Sequence, residues 1–233
     1  MISIVIPVYN QARKLLQTLD SLKKQSFRDY EIIIVNDGSQ DGVEVLFIDY
    51  IRKSPPDNHY VFINQENHGA PAARNRGFRE TRGEYVLFCD ADAVLMPTAL
   101  ELMWSVLEQN WSFSYAYSSF QWGRKVFKVG PFDADRLRRE PYIHTMSLIR
   151  KKDFPAVGWD ETIKKFQDWD LWLTMLEDGK AGFFIPQVLF KVATGGTIST
   201  WLPSAAYSLL PFLPAVRKYR QAMAVIKIKH GLA

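Results

Sequence analysis

Four short runs rich in β-branched residues begin near residues 2, 31, 60 and 85. The first, "ISIVIPV" over Ile2–Val8, is apolar almost throughout, as a parallel strand covered on both faces must be. Between the runs lie stretches of helical period. In residues 11–25 the leucines fall at 15, 16, 19 and 22, one face of a helix. An interval of roughly 30 residues is what a strand–helix–strand unit needs. The spacing predicts strands over Ile2–Val8, Glu31–Val35, Tyr60–Ile63 and Tyr85–Cys89, with helices over 11–25, 43–53, 70–81 and 98–109. The expected fold class is α/β, a doubly wound, mostly parallel sheet over residues 1–110. After Trp111 the pattern changes to aromatic alternation in "FSYAYSSFQW", with strand-like pieces at Thr145–Ile149 and Val188–Val192. This half, 111–200, reads as a smaller mixed region on the same sheet, because no Pro/Gly/Ser-rich linker separates it. Residues 201–233 read as an amphipathic tail.

A parallel sheet binds ligands where its strands end. Pro7, Tyr9 and Asn10 follow the first run, Asp37 ends the second, Asn67 and Gly69 follow the third, and Asp90, Ala91 and Asp92 follow the fourth. Taken singly, several have local explanations. Asp37 in "NDGS" suits an Asx-turn, "NHG" suits a turn, and Asp92 suits a helix N-cap beside a solvated Asp90. The pair in "DAD" is harder to explain by folding alone. Two carboxylates this close ionise together at a cost unless a cation sits nearby. Hard cations such as Mg²⁺ or Mn²⁺ take one or two protein carboxylates plus ligand phosphates. Asp92 is the expected metal ligand. Asp90 is a second candidate ligand or a partner for a ligand hydroxyl.

The formal net charge of +4 over 233 residues fits an anionic ligand or a membrane surface and is too weak to argue for nucleic acid. Cys89 is the only cysteine, so no intrachain disulfide forms, and a reducing, cytoplasmic setting is expected. No uninterrupted apolar run approaches the ~20 residues of a membrane span. A dinucleotide enzyme is disfavoured because no G-x-G-x-x-G follows the first run. A phosphotransferase with an aspartyl nucleophile is disfavoured because Val94, not threonine, stands two residues after Asp92.

"SIVIPVYN", "IIIVNDGSQDG", "NHGAPAARNRGF", "GEYVLFCDADAVLMP" and "FQDWDLWL" occur in that order. Together they resemble the inverting glycosyltransferases of family 2, which have the GT-A fold. The resemblance covers roughly residues 2–200. It implies a nucleotide-sugar donor, usually a UDP-sugar, a divalent metal, Mn²⁺ or Mg²⁺, and a glycan or lipid-linked acceptor, as in cell-surface polysaccharide or glycolipid synthesis. It implies Pro7 and Tyr9 against the nucleoside, Asp37 on the uracil edge, Arg74 near the nucleotide, Asp90 at the ribose or sugar, and Asp92 on the metal. The alternative is a nucleotide-sugar-binding or glycan-binding module of the same fold without turnover.

The candidate base lies in "FQDWDLWLTMLE". Trp169, Trp172, Leu173 and Leu176 follow helical spacing and form a buried face, which makes the two tryptophans core residues before sugar platforms. Asp168 and Asp170 lie about 100° to either side of Trp169, so they cannot both face one substrate. The resemblance picks Asp168, the second residue of the family's Glu-Asp motif. There are departures from the family's pattern: Asn36 in place of aspartate, Gln167 in place of glutamate, Trp159 where phenylalanine is frequent, and "FKVATGGTIS" where a metal-binding histidine is frequent. In that stretch Lys191 is a candidate to meet the diphosphate, and Ala193 or Thr194 stands where histidine would. In the tail, Trp201, Leu202, Tyr207 and Phe212 precede Arg217, Lys218, Arg220, Lys227 and Lys229. That order suits peripheral contact with the inner face of a membrane. Packing back on the catalytic unit or on a second subunit is the equal alternative.

Overall fold

The structure, a computed structural model, describes residues 1–53, 58–193 and 212–232. Strands β1 (Ile2–Val8), β2 (Tyr30–Asp37), β3 (His59–Gln65) and β4 (Tyr85–Phe88) lie where the periodicity predicts them. All pair in parallel, in the order β3-β2-β1-β4. Helices α1 (Ala12–Lys23), α2 (Val43–Lys53), α3 (Ala70–Phe78) and α4 (Ala99–Gln109) also match the expectation, with α3 ending three residues early.

Strict alternation along the strands feeds two cores. Ile2, Ile4, Ile6, Ile32, Ile34 and Leu87 point to the face covered by Leu15 and Leu19 of α1, Phe47 of α2 and Leu100 of α4. Val5, Ile33, Val35, Val86 and Phe88 point to the face covered by α3 and later helices. Successive side chains of a strand leave on opposite sides, so an unbroken apolar run is the signature of a strand buried twice.

The second half adds β5 (Ala93–Leu95), β6 (Tyr115–Trp122), β7 (Lys125–Phe127), α5 (Ala134–Arg139), β8 (Leu148–Arg150), α6 (Gln167–Glu177), β9 (Gly182–Val192) and α7 (Pro214–Lys229). The sheet runs on as β4-β8-β6-β9-β5, with β7 on the side of β6. β8 is antiparallel to both β4 and β6, while β6 and β9 are parallel. The expectation of a mostly parallel sheet therefore holds for the first half, and the second half is mixed. β5 has only three residues and exists by pairing with β9, nearly a hundred residues later.

Residues 194–211, including Thr194 and the expected interfacial aromatic and leucine side chains from Trp201 to Leu210, lie outside the described residues. α7 packs back on the sheet's second face. Val216 and Ile226 are fully buried, and Met223 and Leu232 lie against the same core. Lys229 reaches Asp160 at 2.7 Å and Asp170 at 2.8 Å, and His230 Nε2 meets Asp170 at 2.9 Å. Among the described residues no helix is long and apolar enough to cross a membrane.

Gly77 marks the closest approach of α3 to the sheet. A Cβ there would collide with Val5 Cγ1 and come within 3.1 Å of Val35 Cγ2. Gly77→Ala is therefore expected to lower unfolding stability by about 1–3 kcal/mol, the usual cost of overpacking. Urea melts of the two proteins measure it. Equal midpoints would mean that α3 shifts without cost.

Candidate active site

The ends of β1, β2 and β4 open into a cleft of about 410 Å³, closed on its far side by the residues before α6 and by the β6–β7 hairpin. β1 is the central strand between β2 and β4, so this is the switch point of the parallel half.

The loops that follow β1, β2 and β3 hold one another. Asn10, in the left-handed region at φ 51, accepts from Gln40 N–H at 2.8 Å and donates its own N–H to Ser39 Oγ at 3.0 Å. Asp41 caps Ala12 N–H at 2.7 Å. Asn36 accepts from Ser39 N–H and donates to Asn64 Oδ1, which gives the amide at this position a use that a carboxylate lacks. Asp37 is buried, and its carboxylate is largely committed to the β3–α3 loop. Oδ1 accepts from Gln65 Nε2 at 2.8 Å and His68 N–H at 2.9 Å, and Oδ2 accepts from Gly69 N–H at 2.9 Å. Asp37 still lines the cleft, together with Pro7 and the half-exposed Tyr9. Asn67 and Gly69 stand behind this wall. Asn67 packs on Gly38, and Gly69 takes φ 93 to begin α3.

Asp90, Ala91 and Asp92 all line the cleft floor. Burial, with the neighbouring Asp90 charge, raises the Asp92 carboxyl above the usual range, and Lys14, 3.5 Å away, pulls the other way. Lys14 pairs with Asp92 and Arg74 with Asp90, and the all-oxygen donor set of the two carboxylates suits a hard divalent cation. No group of three or more His, Cys, Asp or Glu side chains poised for a metal exists among the described residues. A cation held by Asp92 and Asp90 would complete its shell with ligand phosphate and water, and the residues fit such an ion.

Arg74 binds the floor to the far wall. Its guanidinium donates to Asp90 Oδ1 at 3.3 Å and to Gln167 Oε1 at 3.0 Å, and it stacks over Trp159 at 4.6 Å. Trp159 in turn meets Phe88 edge-on at 5.1 Å. The indole thus supplies a broad face for a buried cation. Asn75 fixes the same loop, accepting from Trp159 N–H and donating to Trp159 O, both at 2.8 Å.

On the far wall Phe166 adopts φ 60, a costly conformation for a bulky residue, and Tyr219 of α7 braces its ring edge-on at 5.0 Å. The chain then enters α6, with Gln167 and Asp168 lining the cleft. Burial raises the Asp168 carboxyl above the ordinary range. His144, the Trp169 N–H and Arg74 oppose the shift, and Asp90 adds to it. Its one hydrogen bond among the described residues comes from Trp169 N–H to Oδ1, at 2.9 Å. Asp170 faces away, in the grip of Lys229 and His230. The two aspartates diverge as the helical geometry requires. Trp169 and Trp172 are fully buried and donate to Leu137 O and Ile143 O, so they are core residues.

Several residues of the cleft carry no local sequence signal. His144 precedes β8, and its Nε2 lies 3.9 Å from Asp90 Oδ2. Its Nδ1 accepts from Met146 N–H at 3.1 Å, so in the neutral ring the proton sits on Nε2 and faces the cleft as a donor. The rings of Phe120 and Phe190 hold it at 4.8 and 5.1 Å. Phe120, Trp122 and Phe127 supply the aromatic wall that the helix tryptophans do not. Lys164 and Lys165 also line the cleft. Lys191 does not: Val192, next along β9, faces the site, and alternation turns Lys191 to the other side. Ala193 lines the cleft and donates its N–H to Asp92 O at 3.1 Å.

The family model for glycosyl transferase family 2 matches residues 3–158. The chain belongs to that family. It is 27% identical over 222 residues to an uncharacterised glycosyltransferase of Rickettsia bellii, covering 89% of this chain and 31% of the relative. It is 26% identical over 205 residues to an uncharacterised glycosyltransferase of Methanocaldococcus jannaschii, covering 82% of this chain and 70% of that one. The chain thus spans about a third of the first rickettsial relatives. Among solved structures, TarS 1–349 of S. aureus in complex with UDP-GlcNAc superposes with a TM-score of 0.74 at 17% identity, over 97% of this chain and 65% of that one. A mannosyltransferase of Pyrobaculum calidifontis in complex with GDP-Man and Mn²⁺ gives 0.71 at 16%, over 99% and 83%. At these identities the superpositions establish the shared GT-A fold.

The hydrogen bonds of Asp37 generate a prediction. Asp37→Ala removes the acceptor of the part-buried His68 and Gly69 N–H groups, so unfolding stability should fall by about 1 kcal/mol. Nucleotide affinity should fall with it as the loop loosens. Calorimetric titration with UDP and a thermal melt report the two effects. A variant with wild-type melting and weaker UDP binding would show a purely ligand-reading aspartate.

Proposed function

We propose that this domain is an inverting glycosyltransferase that moves a sugar from a nucleotide diphosphate, probed first as a UDP-sugar, to an acceptor hydroxyl. The observation that carries the reading is Asp168, a carboxylate with a raised pKa on the cleft wall opposite Asp90 and Asp92. One carboxylate within reach of the acceptor suffices for inversion, whereas a glycosidase needs a pair.

In this reading the nucleoside lies between Tyr9 and the Asp37 loop. Asp92, with Asp90, holds a divalent cation, which when bound would offset the charge growing on the departing diphosphate. Lys164 and Lys165 supply further positive charge at the cleft mouth. Asp90, fixed by Arg74, accepts from a donor hydroxyl. The acceptor enters along Phe120, Trp122 and Phe127, whose faces suit the apolar side of a sugar ring. Asp168 takes the proton of the attacking hydroxyl. Arg74 and His144 act against that rise and favour the ionised form. The likeness to TarS and to the mannosyltransferase supports a nucleotide-sugar donor, and a polysaccharide or glycolipid is the acceptor class that fits.

Asp168→Asn keeps the shape and removes the base. Transfer should fall by at least ~10²-fold with UDP binding retained. A carboxyl whose pKa is raised on folding costs stability once it ionises, so the melting temperature at neutral pH should hold or rise. Wild-type turnover should lose its base-dependent limb as pH falls through that raised value. Equal transfer by the variant would remove Asp168 as the base, and a wild-type protein that binds UDP without turning over any donor would be a binding module. For the metal, Asp92→Ala should abolish the gain in UDP affinity that Mn²⁺ gives the wild type, measured by calorimetry without any acceptor. A gain that persists would remove Asp92 from the ion.

A further inference from the structure

A second, wider cleft of about 1130 Å³ opens at the other end of β4. It lies among the last turn of α3, the turn into β4, the start of the loop after α4, and residues 150–158. From Glu84 to Asp90 is roughly 20 Å of extended chain, so this cleft is a strand's length from the carboxylates. Nothing in the proposed transfer uses it.

Its charge is one-sided. Arg79, Arg82, Arg150, Lys151 and Lys152 line it, against Glu84 and Glu161. Two of the five cations are committed. Arg150 is buried and donates to Tyr85 Oη at 2.8 Å and Phe113 O at 3.0 Å, and Lys151 donates to Thr81 O at 2.5 Å. Arg79, Arg82 and Lys152 are exposed and have no carboxylate partner among the described residues. Five cations against two carboxylates leave the rim at +3, beside +4 for the whole chain.

The same rim carries exposed apolar tips. Val157 is 81% exposed and Trp111 68%, two of the three most exposed large hydrophobic side chains among the described residues. The Trp111 ring is held in place by Arg150 at 4.6 Å and Lys152 at 5.7 Å, so the indole is presented rather than loose. A soluble polyanion would need the cations alone and leaves Val157 unexplained. Exposed apolar tips beside unpaired cations suit the boundary between lipid headgroups and acyl chains.

We propose that this cleft is a docking surface for an anionic phospholipid membrane. Arg79, Arg82 and Lys152 meet headgroup phosphates, while Trp111 and Val157 enter the interface. The surface differs from the tail expected from the sequence. It sets the donor cleft at the far end of the sheet from the bilayer, facing an acceptor that extends away from the surface.

The test is sedimentation of the full chain with phosphatidylglycerol–phosphatidylcholine vesicles and with phosphatidylcholine vesicles, at low and high salt. Wild-type protein should bind the anionic vesicles alone and release them in high salt. Arg82→Gln with Lys152→Gln should weaken binding roughly 30-fold, about fivefold for each charge removed. Val157→Ser, at a side chain too exposed to affect folding, should weaken it several-fold. UDP affinity should stay unchanged in each variant, which separates failure here from failure of the proposed transfer. Wild-type protein left in the supernatant, or variants that bind as wild type does, would overturn the proposal. So would Val157→Ser binding unchanged while soluble polyglutamate binds the wild type as tightly as vesicles do, since that pattern marks a polyanion site.

Discussion

The Arg74 guanidinium is where the two halves of the molecule are joined. It leaves α3, in the parallel half, and ends between Asp90 on the floor and Gln167 on the far wall, over the Trp159 ring. A buried cation is tolerable only while its partners stay in place, and removing one typically costs several kcal/mol. The carboxylate, the amide and the indole are therefore fixed relative to one another by a shared electrostatic need. Apolar packing fills the space between the halves, but it is not directional enough to set the position of Asp168 relative to Asp90. With glutamate in place of Gln167, Arg74 would be shared between two carboxylates. With glutamine, Asp90 is its one carboxylate partner among the described residues.

The cleft is consequently a balance of opposite charges brought in from separate loops. Asp90, Asp92 and Asp168 face Lys14, Arg74, Lys164, Lys165 and His144. No arm of this set is complete within one segment of chain. Each loop is instead tied to its neighbour through side-chain amides and carboxylates, as Asn10 is to Gln40 and Asp37 is to Gly69. Polar loops at the end of a buried sheet gain rigidity this way without an apolar core of their own.

The strands and helices of the first 110 residues were legible because their signals are local. A run such as "EIIIVND" states both its conformation and its double burial. The second half was less so. β5 depends on β9, and the direction of β8 depends on which strands are free when it arrives. Asp90, Asp92 and Asp168 were legible through motif order, but their neighbours were not. His144 and Lys164 lack any pattern in sequence, and they reach the cleft only because β8 and the loop before α6 are placed by long-range pairing. Lys191 was misplaced by one residue of strand alternation, which reverses a side chain's face. Asp37 shows a subtler limit. Its place on the cleft wall was readable, but its hydrogen bonds from Gln65, His68 and Gly69 were not.

The grip of Lys229 and His230 on Asp170 has a consequence for biosynthesis. Asp170 is 4% exposed, and both of its partners lie some sixty residues downstream. On a ribosome the chain reaches Asp170 well before Lys229 has cleared the exit tunnel. Until then α6 would have to bury an uncompensated carboxylate or stay undocked, and Phe166 would lack the Tyr219 ring that braces its unusual backbone. A nascent chain is thus expected to complete its parallel half first and to set its far wall last. Premature release before residue 229 would yield a protein whose parallel sheet is built but whose α6 is not anchored.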